Sequence, residues 1–159
     1  MEAIGLYTNQ TMILTEVTAG NAEEVIRLLA GKAMENDLIE PEFITAVLAR
    51  EKEYPTGLPT AVPIAIPHIH DGCLKSFFSM AVLKNPVSFR CMGDPDETVE
   101  APLVFLFGIT DPSYQTAVLK KFSTIFQDEE TLEKLKNVTD AEELMNQMKG
   151  LLDEYLVTD

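Results

Sequence analysis

The stretch APLVFLFGI, Ala101 to Ile109, carries no charge and no strong helix breaker after Pro102. It is too short to cross a bilayer, which takes about 20 apolar residues, but it has the length of a strand. Uninterrupted apolar character, rather than in/out alternation, is the mark of a strand covered on both faces. The run therefore predicts a central strand, with other layers above and below it.

Working outward, SFFSMAVLK (Ser76 to Lys84) and VPIAI (Val62 to Ile66) are short apolar or alternating runs bounded by Gly, Pro, Asn and Asp, and TMILTEV (Thr11 to Val17) alternates like a strand. Helical spacing lies between and around them. NAEEVIRLLAGKAMEN opens on Asn21 with Glu24 three residues on, a capping-box spacing. EPEFITAVLAREKEY puts Pro41 at a first helical position and must stop near YPTGLP, where Pro55, Gly57 and Pro59 interrupt it. DPSYQTAVLKKFSTIFQDEE repeats its apolar positions at Val118, Leu119, Phe122 and Phe126. TDAEELMNQMKGLLDEYL reads as a last helix opened by Thr139 and Glu142. Helices before, between and after strands predict an α/β fold, a mixed central sheet with helices on both faces. The 159 residues are expected to form a single domain over 1–159.

Twelve basic against 26 acidic residues give a net charge of −14. Nucleic acid and anionic membrane would both be repelled. No apolar run has membrane-spanning length, and MEAIGLYTNQ at the start carries Glu2 but no Lys or Arg. No membrane insertion and a cytoplasmic location are expected. Cys73 and Cys91 form no CxxC and are expected to be free thiols.

Both histidines of the chain, His68 and His70, fall in PIAIPHIHDG, Pro63 to Gly72. Three chemistries are open. His-x-His on a strand gives two metal ligands on one face, but a third is needed and none stands at a marking distance among Asp71, Cys73, Asp94 and Asp96. The pair could also be packing residues on a loop. Pro63 and Pro67 stiffen the backbone into His68, which suits a positioned nucleophile. Neutral imidazole attacks phosphorus competently, and such transfer needs cations or N–H donors around three phosphoryl oxygens. Arg50, at the end of its helix, is the candidate fork; it could equally be a residue favoured by the helix dipole.

The run AREKEYPTGLPTAVPIAIPHIHDG resembles the active-site segment of the fructose/mannitol-type enzyme IIA of the bacterial phosphoenolpyruvate-dependent sugar phosphotransferase system. The linked set is Arg50, Glu51, Pro55, Thr56, Gly57, Ala65, Ile66, Pro67 and His68. LKNPVSF and CMGDPDETVEAPLVFLFGI look like the galactitol-specific branch. The resemblance implies an α/β fold with helices on both sides of a mixed sheet. It implies that His68 takes a phosphoryl group from the phosphocarrier HPr and passes it to a cysteine of enzyme IIB, which phosphorylates the sugar entering through the membrane component IIC. It makes Arg50 the phosphate-stabilising arginine and gives Thr56 a part in ordering the pocket. No cofactor or metal is implied.

Many members of that family have a second histidine at the start of the helix after the long apolar strand. Here the region reads GITDPSYQTAVL, with Ser113 and Tyr114 at that place. The Ser113 hydroxyl and the helix N–H groups are expected to stand in for it, ahead of His70. Two other functions fit the sequence: a regulatory IIA-like protein that binds signalling partners according to its phosphorylation, and a metal-dependent hydrolase using His68 and His70.

Overall fold

The apolar run forms the second half of strand β7 (Asp94–Gly108) in a computed structural model that describes residues 5–152 and 156–157. β7 pairs antiparallel with β6 (Phe77–Cys91), from Phe77 opposite Gly108 to Cys91 opposite Asp94. Pro86 lies inside β6 where the register shifts between Val82 and Val87, so its missing N–H falls at an irregularity and the strand continues through it.

Among the described residues, five more strands pair directly with this hairpin. β1 (Leu6–Tyr7), β2 (Ile13–Val17) and β3 (Gly57–Leu58) run parallel to β6. β4 (Ile64–Ala65) and β5 (His68–Ile69) run parallel to β7, and β4 pairs antiparallel with β3. β8 (Leu156–Val157) lies parallel to β1. The sheet is mixed, with eight strands among the described residues.

Its two faces bury different layers. Phe77, Ala81, Val104 and Leu106 pack with Val25, Ile26 and Leu29 of α1 (Ala22–Glu35) and Phe43 and Val47 of α2 (Pro41–Glu53). Phe78, Met80, Leu103, Phe105 and Phe107 pack with α3 (Pro112–Phe126), α4 (Glu129–Lys136) and α5 (Ala141–Leu152) through Val118, Phe122, Leu132, Leu144 and Met148. Successive residues of β6 and β7 thus serve opposite cores, which is why both strands read as unbroken apolar runs. The three-layer α/β/α arrangement follows. Phe122 knits the second core, its ring 4.5 Å from that of Phe107 and 5.8 Å from that of Phe78; such pairs add about 0.5–1.5 kcal/mol each beyond area burial.

Half of the capping box expected at α1 forms: Asn21 Oδ1 accepts from Glu24 N–H at 2.9 Å, but the Glu24 carboxylate reaches one residue further back and accepts from Gly20 N–H rather than from the N–H of the cap. Pro41 opens α2. Cys73 and Cys91 are free thiols. Among the described residues, no helix is long and apolar enough to cross a membrane.

Several local expectations are corrected. The strand expected over Thr11–Val17 begins at Ile13, because Asn9 caps a 3-10 turn over Gln10–Met12. The run VPIAI yields only a two-residue strand, Pro63 and Pro67 trimming it at both ends. The helix after β7 stops at Phe126, where Asp128 accepts from Thr131 N–H and starts α4 separately. The last helix is capped by Asp140, one residue after Thr139: Asp140 Oδ1 accepts from Glu142 N–H and its carbonyl from Leu144 N–H. Thr139 instead offers its carbonyl to the Thr15 hydroxyl. That helix ends at Leu152, and Leu156, read as helical, lies in β8; residues 153–155 of the tail and the start of MEAIGLYTNQ, residues 1–4, lie outside the described residues.

Candidate active site

The site begins where α2 ends. Arg50 is in its last turn, exposed, with its guanidinium 5.1 Å from the centroid of the Tyr54 ring. Among the described residues no carboxylate lies within ion-pair distance of Arg50. Pro55 then turns the chain into β3. Glu51 closes this turn from behind, its Oε1 accepting from Thr56 Oγ1 at 2.7 Å and its Oε2 from Thr56 N–H at 2.9 Å. Thr56 is only 3% exposed. Gly57 follows because β3 runs hard against the hairpin: a Cβ there would sit 2.6 Å from the Arg90 carbonyl oxygen.

Thr56 also holds the incoming strand. Ile66 N–H reaches Thr56 Oγ1 at 3.2 Å and the Thr56 carbonyl at 3.3 Å. The Ile66 carbonyl lies 2.7 Å from Nδ1 of His68. A carbonyl can only accept, so Nδ1 carries the proton and the lone pair is on Nε2. His68 is buried, 7% exposed, and β5 places it opposite Phe107 of β7. Burial pushes its pKa below the ordinary histidine value; the bond to Ile66 opposes this, and the positive charge of Arg50 adds to it. The ring is therefore neutral and nucleophilic at neutral pH.

His68 opens onto a cleft of about 470 Å³ lined in part by Arg50, Tyr54, His70, Asp71 and Gln115. The expectation that His68 and His70 share a strand face does not hold. β5 ends at Ile69, and His70 is exposed at the rim with Nε2 3.2 Å from Asp71 Oδ1. Among the described residues, no group of three or more His, Cys, Asp and Glu is arranged to hold a metal ion.

Ser113 is exposed and does not line the cleft. Its N–H and its hydroxyl both donate to Asp111 Oδ1, at 2.9 and 2.8 Å, so Asp111 caps α3 and takes up the N–H expected to face the site. Those bonds hold the Asp111 carboxyl below its usual range. The side chain of Tyr114 lies outside the described residues. Gln115 is the residue of α3 that lines the cleft, and the sequence reading missed it. One signal was available: Gln115 stands four residues after the N-cap Asp111, one helical turn on and on the same side. Thr56, too, is absent from the cleft lining and acts behind it.

A chain that buries a neutral imidazole, frees its Nε2, and sets an unpaired guanidinium beside it is equipped to accept a phosphoryl group. Several known proteins are similar to this chain in sequence and fold. The ascorbate-specific PTS system EIIA component of Escherichia coli K12 is 22% identical over 136 residues, covering 84% of this chain and 86% of that protein. The crystal structure of IIA mannitol from Escherichia coli superposes with a TM-score of 0.72 at 26% identity, covering 89% of this chain and 98% of that one. The complex of the Escherichia coli mannitol enzyme IIA with phosphorylated enzyme IIB matches with a TM-score of 0.73 at 25% identity, over 91% and 99% of the two chains. Residues 6–150 match the family model for the phosphoenolpyruvate-dependent sugar phosphotransferase system, EIIA 2, and the chain belongs to that family of phosphotransfer components.

Proposed function

We propose that this chain is the enzyme IIA phosphocarrier of a sugar-specific phosphotransferase system, with His68 as its phosphorylated residue. The observation that carries the reading is the 2.7 Å contact between His68 Nδ1 and the Ile66 carbonyl, which leaves Nε2 as the free nucleophile of a buried ring. The Nε2 lone pair attacks the phosphorus of phospho-HPr. The new N–P bond forms as the bond to the HPr histidine breaks, and that imidazole keeps the electron pair. The proton stays on Nδ1, held by the Ile66 carbonyl, so the ring of phospho-His68 is an imidazolium whose positive charge sits beside its phosphoryl group. A cysteine thiolate of enzyme IIB then attacks the same phosphorus, and the electron pair returns to Nε2.

Arg50 supplies the charge that three phosphoryl oxygens need, as a planar fork with no competing carboxylate among the described residues. Gln115, from the opposite wall, offers an amide donor. His70 stands at the rim, and Ser113 contributes by fixing the start of α3. Thr56 orders the pocket from behind. The acceptor role for enzyme IIB is supported by the mannitol IIA–IIB complex. HPr and IIB use the same surface around His68 in turn and therefore compete; both interfaces are transient and at the smaller end of the usual range. The domain spans 1–159, works in the cytoplasm without cofactor, and feeds the membrane component IIC only through IIB. A galactitol-like polyol is the proposed sugar, on the LKNPVSF and CMGDPDE segments.

The test is incubation with phosphoenolpyruvate, enzyme I and HPr, followed by intact mass and site mapping. One phosphoryl group on His68 is expected, and it should leave on addition of the cognate IIB. Absence of label, or label on His70, overturns the reading. Label that no IIB removes points to the regulatory alternative.

A further inference from the structure

We infer that Glu51 is a positioning residue for His68: acting through Thr56 and Ile66, its carboxylate fixes which ring nitrogen of His68 faces the cleft. The inference rests on the reading of His68 as the phosphoryl acceptor, and it concerns a side chain that does not line the cleft.

Three hydrogen-bonded steps connect the two residues. Glu51 takes both donors of Thr56, Oγ1–H at 2.7 Å and N–H at 2.9 Å. An ionised carboxylate only accepts, so the Thr56 hydroxyl must point its proton at Glu51. That leaves the hydroxyl lone pairs for Ile66 N–H at 3.2 Å. Ile66 then presents its carbonyl to His68 Nδ1 at 2.7 Å. The hydroxyl is the one group of the three that could point either way, and Glu51 settles it; the Ile66 N–H and C=O have fixed roles. With Glu51 removed, the hydroxyl is free to rotate and the Ile66 amide keeps only the Thr56 carbonyl, at 3.3 Å, as a defined acceptor.

The influence is positional rather than electronic. The Ile66 N–H and C=O belong to successive peptide units, so polarisation of one does not pass directly to the other. What passes is geometry: Ile66 is pinned at its amide, Pro67 fixes the φ that follows, and the carbonyl between them is left with little freedom. Burial pushes the Glu51 carboxyl up to about 6, with the Thr56 bonds and Arg90 opposing, so at neutral pH it is mostly the acceptor this chain of bonds requires.

Imidazole ¹⁵N spectra and single-turnover transfer from phospho-HPr, on the full chain, test the inference. The wild type should show His68 as the Nδ1–H tautomer with a protected Ile66 amide. In Thr56→Val, which keeps shape but loses the hydroxyl, we expect mixed tautomers and transfer slowed about tenfold by the looser nucleophile. Thr56→Ser should recover both the tautomer and the rate. Glu51→Gln should fall between, because its amide can meet only one of the two Thr56 donors correctly. A role in stability alone would lower the unfolding midpoint and leave tautomer and rate untouched. Folded Thr56→Val and Glu51→Gln proteins with wild-type tautomer and rate overturn the inference. If neither variant folds, the wild type decides, since an Nε2–H tautomer or an unprotected Ile66 amide also overturns it. If the wild type takes no phosphoryl group, the functional reading fails, while the tautomer shift in Thr56→Val still decides the positioning.

Discussion

The guanidinium of Arg50 rests 5.1 Å from the centroid of the Tyr54 ring, one helical turn further on, at the mouth of the cleft that holds His68. The ring restrains a long side chain without neutralising it. Arg50→Lys keeps the charge but loses the planar fork, so transfer from phospho-HPr should slow without being abolished. Tyr54→Leu should slow it less, by about two- to fivefold, matching the ~0.5–1 kcal/mol of an exposed cation–π contact. Rapid-quench transfer rates check both; an unchanged Arg50→Lys rate would remove the fork from the mechanism.

His68→Gln should lose all labelling and still fold, since glutamine approximates the size and polarity of the ring. His70→Gln should label nearly as the wild type does, because His70 is exposed and paired with Asp71 outside the strand. Circular dichroism with intact mass tests the pair.

Acidity offers a separate check. The His68 pKa lies below its ordinary value, chiefly through burial, so the neutral ring persists as pH falls through 6.5. Its contribution to stability is present above the unfolded value and disappears as pH falls through the folded one. Transfer should therefore hold its rate at pH 6.5, where an unburied histidine would be half protonated. Arg50→Ala should raise the His68 pKa by removing a nearby positive charge, as an NMR titration would show. A downward move would contradict the electrostatic account.

Gly57→Ala should destabilise the fold, by about 1–3 kcal/mol in the manner of overpacked sites. The added methyl meets backbone, the Arg90 carbonyl, and only backbone movement can relieve it. Urea unfolding with an unchanged slope and a lowered midpoint is the expected result.

The cysteines should be dispensable. Burial pushes the Cys73 thiol up to about 11, its Sγ–H donates to the Lys75 carbonyl, and Cys91 is buried in β6. Cys73→Ser should accept phosphate normally, and the native Cys73 should alkylate slowly at neutral pH. Loss of label in a folded Cys73→Ser protein would show a role that the cleft geometry does not contain. A chelator should have no effect on transfer.

The layers were legible because periodicity is a local property: Ala101–Ile109 announced a two-faced strand, and the apolar positions of α1, α2 and α3 announced their faces. The short strands were not, since two residues such as Ile64–Ala65 carry no period and owe their pairing to β7. The capping at Asp140 was misplaced by one because Thr139 and Asp140 are both competent caps, and Thr15, 124 residues away, decides between them. At the site, the residues joined by Arg-Glu, Thr-Gly and Ile-Pro-His motifs were visible as words. That Glu51 and Thr56 lie behind the cleft rather than in it was not visible, and Gln115 was marked only by its place one turn after Asp111, because the cleft's walls come from helices packed on different layers.

The hairpin of β6 and β7 has a consequence for how the protein is made. Residues 50–69, which carry Arg50 and His68, leave the ribosome before β7 exists to receive β4 and β5. The hairpin's own contacts are local across the Met92–Gly93 turn and close early, whereas pairing His68 with Phe107 must span a loop of intervening chain. The His68 imidazole is thus seated late in folding, onto a scaffold already standing, and a nascent chain stalled before Phe107 would display His68 without the strand that buries it.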